Sequence, residues 1–460
     1  MGGHGHIPRV EAPAAKASPR GGESNATIVA RATAPGKAGV AVLRASGPAA
    51  FALASALTRL PLPVPRQAAM RRFLDPVSGE TIDEGLLLLF PGPSSYTGED
   101  IAEFQVHGGT AVAAALLAAM QRIGDVRLAE PGEFTRRAFS NGRQGLTEIE
   151  GLAALIDSET ESQRRLARAV ADGKLERSFA ALRAGILDIR ATLESEIDFS
   201  DEGDVPEADG AAICTAIARL RDLALDMAGT EGRGRMIAEG YRVVLAGPPN
   251  VGKSSLLNAL AGRDVAIVSE IPGTTRDRIE ARLDLGGYLV VVTDTAGLRD
   301  TDDPVEREGV RRSVESVEEA DLVLRVFDEP HAAARWDAGE RELVVLNKGD
   351  LFGMVDSKAE QFVVSAKTGA GLDALLAEIT RRLDSNGEDF DSIPVQVRHA
   401  AILREVAATL TEARDHGERA EWEFCSDRLR AAGDQAGSLI GLIGVEDVLS
   451  AVFSRFCIGK

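Results

Sequence analysis

The chain is short of cysteine, of aromatic rings and of positive charge, and each shortage closes off a class of function. Three cysteines, Cys214, Cys425 and Cys457, stand far apart in 460 residues. None forms a Cys-x-x-Cys pair, so neither a disulfide framework nor a zinc site is expected, and a reducing, cytoplasmic setting fits best. Aromatic residues make up 4% of the chain, too few to signal a base-stacking platform. Lys and Arg number 52 against 71 Asp and Glu, a formal net charge of −19. That balance argues against a broad basic surface for nucleic acid but leaves a local basic patch open. No apolar run is long enough to span a bilayer, so no membrane association is expected. Residues 1–25 are rich in Gly, Pro, Ala and Ser. They lack the apolar core of a secretory signal, and a disordered extension, or a start codon assigned too early, is the expectation.

What is present reads as soluble and globular, with 44% hydrophobic and 27% charged residues. The length exceeds one core, so two to four domains are expected. The stretch 241–260, YRVVLAGPPNVGKSSLLNAL, organises the rest. A short apolar run, a glycine turn and a helix start follow one another there. Gly247, Gly252, Lys253 and Ser254 fit G-x-x-x-x-G-K-[ST]. Bare N–H groups and a helix N-terminus suit phosphate oxygens, Lys253 reaches the β- and γ-phosphates, and Ser254 holds Mg²⁺.

In chain order, 27–30, 39–44 and 86–90 are strand candidates, and an alanine-rich helix is expected over 110–123. Two or three strands with helices make an α+β domain over 26–142. From 146 to about 200 the pattern is helical, with Leu175, Phe179, Leu182, Ile186, Ile189, Leu193 and Ile197 on one face. Another helix is expected over 211–227. The first helical part is therefore 143–239. Strand candidates at 243–246, 289–293, 322–327, 343–347 and 362–365 alternate with helices, predicting a doubly wound parallel sheet over 240–384. After a polar linker, 385–392, helix returns with Ile402, Val406 and Leu410 on one face. The expectation is a multidomain α/β chain whose nucleotide domain is inserted between two halves of a helical domain, the second half being 385–460.

Four further signals follow the phosphate loop in fixed order. IPGTTRD offers Thr274 and Thr275 to a γ-phosphate and Mg²⁺. Asp294-Thr295-Ala296-Gly297 follows the strand VVVT, where the Asp holds Mg²⁺ through water and the Gly N–H meets the γ-phosphate. Asn347-Lys348-Gly349-Asp350 presents a carboxylate that accepts two N–H bonds from guanine, a pair that adenine does not offer. Ser365-Ala366-Lys367 can meet guanine O6. Five such signals, each at a strand end, predict a GTPase. After the Asp-Thr-Ala-Gly stands Leu298, where Ras-type proteins carry a water-orienting Gln, so catalysis must use another group. Asn250 could ligate a monovalent cation beside the phosphates, or only shape the turn.

TIVARATAPGKAGVAVLRASGP, SYTGEDIAEFQVHGG, PGEFTRRAFSNGR, the five GTPase signals and the terminal FCIGK together resemble the MnmE (TrmE) family of tRNA-modifying GTPases, from about residue 26 to 460. A prenylation box is the rival reading of the terminal Cys, disfavoured by Gly and Lys at its last two positions. The resemblance implies an N-terminal domain similar to folate-binding domains, a helical domain and an inserted G domain. It implies a homodimer, an MnmG-type FAD protein as partner in a heterotetramer or larger complex, and tRNA as substrate. The product is a carboxymethylaminomethyl or aminomethyl group on C5 of the wobble uridine, with carbon from a tetrahydrofolate derivative. The resemblance also implies K⁺-dependent GTP hydrolysis with Mg²⁺. An assembly-type GTP switch without carbon transfer is the alternative that the G domain alone leaves standing.

Carried onto this sequence, the folate site falls on Arg44, Glu103, Arg143 and Lys460. The K⁺ ligands fall on Asn250, Ser269, the carbonyl of Ile271, and Thr274. Mg²⁺ falls on Ser254 and Thr275. Glu306 is the catalytic carboxylate, and Cys457 serves modification rather than hydrolysis. The GTP-binding set is Asn250 to Ser255 (with Val251, Gly252, Lys253 and Ser254), Ser269, Thr274, Thr275, Asp294 to Gly297, Asn347, Lys348, Asp350, Ser365, Ala366 and Lys367. Surface ion pairing remains the other fate for Arg44 and Arg143. Two departures stand out. Gly145 takes the place of the family's Asp, and Gly151 that of an Ala, which predicts a helix weakened by about 1 kcal/mol.

Overall fold

The computed structural model describes residues 26–198, 210–267, 280–294, 316–352, 361–384, 396–442 and Gly459. They form two compact units, one of residues 26–143 with Gly459, the other spanning 144–442.

The first unit is a six-stranded sheet in the order β3-β4-β5-β2-β1-β6. Its strands are β1 (Thr27–Arg31), β2 (Ala38–Ser46), β3 (Ala69–Leu74), β4 (Thr81–Phe90), β5 (Ile101–Gly108) and β6 (Val126–Leu128). Six strands replace the two or three expected. β3 and the start of β4 carry Arg71, Arg72, Asp83 and Glu84, whose polarity hides an edge hairpin. Helices α1 (Ala50–Thr58) and α2 (Thr110–Met120) cover one face, where Leu43, Leu53, Leu57, Leu87, Phe104 and Leu116 are fully buried. Alternation turns Arg44 of β2 to the other face, directly opposite Glu103 of β5. Helix α3 (Glu133–Ser140) lies on that face through Phe134, which clusters with Ile28, Ala30 and Ala129. Gly459 also belongs to this unit rather than to the helical part expected to hold the C-terminus. A Cβ on it would sit 2.1 Å from the Arg31 carbonyl oxygen, an approach only glycine permits.

In the second unit, α4 (Leu146–Ile156), α5 (Glu161–Ala171), α6 (Lys174–Asp198), α7 (Gly210–Gly229) and α8 (Glu231–Glu239) precede the nucleotide-binding block. Pack-mates from beyond that block join them: Leu403, Val406 and Leu410 of α13 (Val397–Glu418), and Leu429, Ala436 and Leu439 of α14 (Trp422–Leu439). They share one core with Phe179, Leu182 and Ile186 of α6 and Ile217 of α7. The nucleotide-binding block is therefore an insertion. Ile402 flanks this core, and His399 and Leu403 take the fully buried positions beside Val406 and Leu410.

Both glycine departures have packing reasons. A Cβ at Gly145 would meet the Glu176 carboxylate at 2.1 Å, so an Asp would place two carboxylates together. Glu148 accepts the Gly145 N–H at 3.0 Å instead and caps α4. At Gly151 a Cβ would lie 2.4 Å from the backbone nitrogen of Ala171 at the end of α5. The residue lets two helices touch, and the expected loss from low helix propensity is overridden by packing.

The inserted sheet has the order β12-β11-β10-β7-β9-β8. Its strands are β7 (Tyr241–Ala246), β8 (Glu280–Leu285), β9 (Tyr288–Asp294), β10 (Leu322–Phe327), β11 (Glu342–Leu346) and β12 (Gln361–Val363). All neighbours are parallel except β8 and β9, an antiparallel hairpin turning at Gly286 and Gly287, both at positive φ. That edge strand is a departure from the five expected. Helices α9 (Lys253–Ala261), α10 (Pro330–Arg335), α11 (Gly349–Phe352) and α12 (Leu372–Asp384) fill the connections. Among the described residues no helix is long and apolar enough to cross a membrane.

Candidate nucleotide site

The carboxyl ends of the parallel strands converge on one rim, where ligands bind in open α/β sheets. β7 ends at Ala246, and the loop returns to helix at Lys253, with Gly252 as its N-cap at φ +94°. That left-handed bend turns the first N–H groups of α9 toward the loop interior. A Cβ on Gly252 would also meet Asn347 Nδ2 at 2.4 Å, so the position admits only glycine.

Lys253 is buried, and its ammonium donates to the carbonyls of Gly247 and Pro248, both at 2.8 Å. Burial pulls its pKa below the ordinary lysine value, and the nearby Asp294 carboxylate opposes that pull. Ser254 Oγ donates to Asp294 Oδ2 at 2.5 Å. A hydroxyl and a carboxylate side by side at a helix N-terminus are the hard oxygen donors that fit Mg²⁺ beside phosphates. Val251 is buried under the loop, while Ser255 lies in the first turn of α9.

Asn347, at the end of β11, braces three loops. Its Nδ2 donates to the Val251 carbonyl at 3.0 Å, and its Oδ1 accepts the Ala366 N–H at 3.1 Å. Lys348 bonds the Asn250 carbonyl at 3.1 Å and Asp328 at 2.6 Å. Ser365 Oγ donates to Asp350 Oδ1 at 2.7 Å, which holds that carboxyl below the usual aspartate range. Lys367 follows on the same loop and adds its positive charge. An ionised, oriented Asp350 can accept paired N–H donors from a guanine edge. The structure thus brings together Asn250, Val251, Gly252, Lys253, Ser254, Asp294, Asn347, Lys348, Asp350, Ser365 and Ala366. Ser269, Ile271, Thr274, Thr275, Thr295, Ala296, Gly297, Glu306, Cys457 and Lys460 lie outside the described residues. Asp328 was not singled out from sequence. Its signal was an acid directly following an apolar strand.

In the first unit Arg44 Nε and Nη2 lie 2.9 and 2.8 Å from Glu103 Oε1. The Arg44 guanidinium also sits 5.5 Å from the Tyr96 ring centroid and 5.7 Å from that of Phe134. The stem of Arg143 packs beside Gly98, its Cγ 3.3 Å from where a Cβ would be. Arg44 and Arg143 therefore flank one loop, 96–99. Beside it lies a polar network that sequence reading missed. Ser46 Oγ donates to Glu99 and shares a hydrogen bond with Thr97, each at 2.7 Å. Arg137 pairs with Glu99 at 3.1 Å and with Glu133 at 3.0 Å.

Comparison with known proteins accounts for both units. The family described as GTP-binding protein TrmE N-terminus matches residues 27–143, and that described as MnmE helical domain matches 146–457. A protein named tRNA modification GTPase MnmE from Methylobacterium sp. (strain 4-46) is 47% identical over 440 residues, 94% of this chain and 99% of the relative. Proteins of the same name from Maricaulis maris (strain MCS10) and Sinorhizobium medicae (strain WSM419) are 45% and 44% identical. They are covered to 100% and 99% of their lengths, by 95% and 94% of this chain.

Proposed function

The chain belongs to the MnmE family of tRNA modification GTPases and hydrolyses GTP, and on that premise we propose that hydrolysis depends on K⁺ and drives one-carbon modification of tRNA. The modified atom is C5 of the wobble uridine of certain tRNAs. A tetrahydrofolate derivative supplies the carbon, and an MnmG-type flavoprotein partner takes part. The working form is a homodimer in the cytoplasm.

The carrying observation is that likeness to proteins named tRNA modification GTPase runs along 94% of the chain. A bare GTP switch needs only the inserted sheet. The residues fit the proposed chemistry. Loop N–H groups and Lys253 bind the phosphates, Asp350 selects guanine, and Ser254 with Thr275 would hold Mg²⁺. A Mg²⁺ ion held there would supply charge neutralisation at the phosphate oxygens. Asn250, Ser269, Ile271 and Thr274 would hold K⁺, supplying charge that an arginine finger supplies elsewhere. Glu306 orients the attacking water, a role Leu298 cannot fill. Arg44, Glu103, Arg143 and Lys460 bind folate, whose glutamate carboxylates suit a guanidinium. Cys457 serves the modification step.

Nucleoside analysis of tRNA from cells lacking the protein tests this reading. Loss of the C5-modified wobble uridine is expected, and unchanged tRNA would overturn it. Exchange of K⁺ for Na⁺ should slow GTP hydrolysis at least tenfold; equal rates would remove Asn250 from its cation role.

A further inference from the structure

We infer that Asp328 is a positioning residue of the GTPase site, acting through Lys348 to hold the left-handed bend of Asn250 in the phosphate loop. Asp328 directly follows β10, which lies between β11 and β7 in the sheet. Its carboxylate therefore sits between the loop that follows β11 and the loop that follows β7. Lys348 comes from the first of these and Asn250 from the second.

The ammonium of Lys348 joins them, 2.6 Å from Asp328 Oδ2 and 3.1 Å from the Asn250 carbonyl oxygen. Both residues of the Lys348–Asn250 bond have left-handed backbones, a bend that Asn tolerates better than Lys. Asn250 has φ +64° and Lys348 has φ +59°, values that few non-glycine residues adopt. Such bends persist only where the surroundings over-determine them. The left-handed peptide at Asn250 presents its carbonyl to Lys348, and the carboxylate of Asp328 fixes where the ammonium can stand.

An ordinary surface ion pair is the competing account, and the rate of nucleotide release separates the two. The Asp328 and Lys348 side chains are 32% and 37% exposed, so the pair adds little to folding stability. Its consequence should appear in nucleotide binding instead. A phosphate loop less firmly held should release nucleotide faster. If the carboxylate were merely a negative charge near the phosphates, its removal would have the opposite sign and slow release.

The test is the rate of release of a fluorescent GDP analogue from the full-length protein with Mg²⁺, in K⁺ and again in Na⁺. Release from Asp328→Ala should be about tenfold faster, with the thermal midpoint of the nucleotide-free protein unchanged. Asp328→Asn keeps an oxygen acceptor for Lys348 and should stay within about threefold of the parent. In a double-mutant cycle, adding Asp328→Ala to Lys348→Met should change nothing further. Unchanged or slower release from Asp328→Ala, or additive effects in the cycle, would overturn the inference. The Na⁺ arm separates it from the potassium proposal, since faster release in both salts supports the tether whether or not K⁺ binds at Asn250.

Discussion

The two sheets hold their polar clusters in opposite ways. In the first unit, charged side chains stand on or beside a strand face and pair with each other: Arg44 with Glu103, Arg127 and Arg137 with Glu133. At the inserted sheet the groups come from loops at strand ends, and many of their partners are backbone atoms. Lys253 bonds two carbonyls, Asn347 bonds Val251, and Lys348 bonds Asn250. A face-built cluster depends on register and charge complementarity. A loop-built cluster depends on backbone conformation, so its weak points are the residues that bend the chain.

The sharpest way to break that contrast is Gly252→Ala. The substitution adds a single methyl group and no charge. It must place a Cβ at φ +94° and 2.4 Å from Asn347 Nδ2, a position with both backbone and steric cost. GDP affinity should fall roughly a thousandfold, about 4 kcal/mol, by calorimetric titration. A loss under tenfold would show that the loop accommodates the bend without glycine.

The matching test of the first unit is Glu133→Gln. Glu133 is buried, with Arg127 at 2.6 Å, Arg137 at 3.0 Å and the Glu130 N–H at 2.9 Å. Burial alone would raise its pKa, but the two guanidinium groups and the N–H outweigh that and bring it down to about 2. Gln keeps the shape but not the charge, so Arg127 and Arg137 lose the carboxylate they share while Arg137 keeps Glu99, at a cost of about 3 kcal/mol by denaturant unfolding. The pH dependence follows with a definite sign. A depressed carboxyl contributes stability above its unfolded value near 4.5, and loses it as pH falls toward 2. The parent should therefore lose about 3 kcal/mol more than Glu133→Gln across that window. Parallel pH curves would show that Glu133 does not hold the network.

Legibility in the sequence divides along the same line. Gly252, Lys253, Asp294 and Asp350 were readable because each motif is local and each lies at a strand end. The bracing role of Asn347 was not, since its partner Val251 is 96 residues away and the contact exists only after β7 and β11 take their places. The partnership of Arg44 with Glu103 needed the β2–β5 register, which places them opposite each other. Helix propensity misjudged Gly151, whose neighbour is the backbone of another helix. β9 was readable as an apolar run, but its antiparallel partner β8 was marked only by Gly286 and Gly287, and the polar strand β3 by nothing stronger than alternation.

The smallest stability effect, and the finest test of the comparison, is expected at Arg44. Its pair with Glu103 has the same chemistry as the Glu133 cluster but more water, the two side chains being 21% and 17% exposed. A partly solvated pair contributes about 1 kcal/mol or less. Arg44→Ala should therefore leave unfolding nearly unchanged. The Arg44 guanidinium, set over two aromatic rings at 5.5 and 5.7 Å, is the group that the proposed folate site would present to a carboxylate ligand. Affinity for a reduced folate, measured by calorimetry, should fall at least tenfold in Arg44→Ala. Arg44→Lys, which keeps charge but loses the planar fork, should recover only part of it. If unfolding cost several kcal/mol instead, Arg44 would be a fold-holding ion pair like Glu133, and the face-built cluster would have one role rather than two. If stability and folate affinity both held, the site would lie elsewhere on the unit.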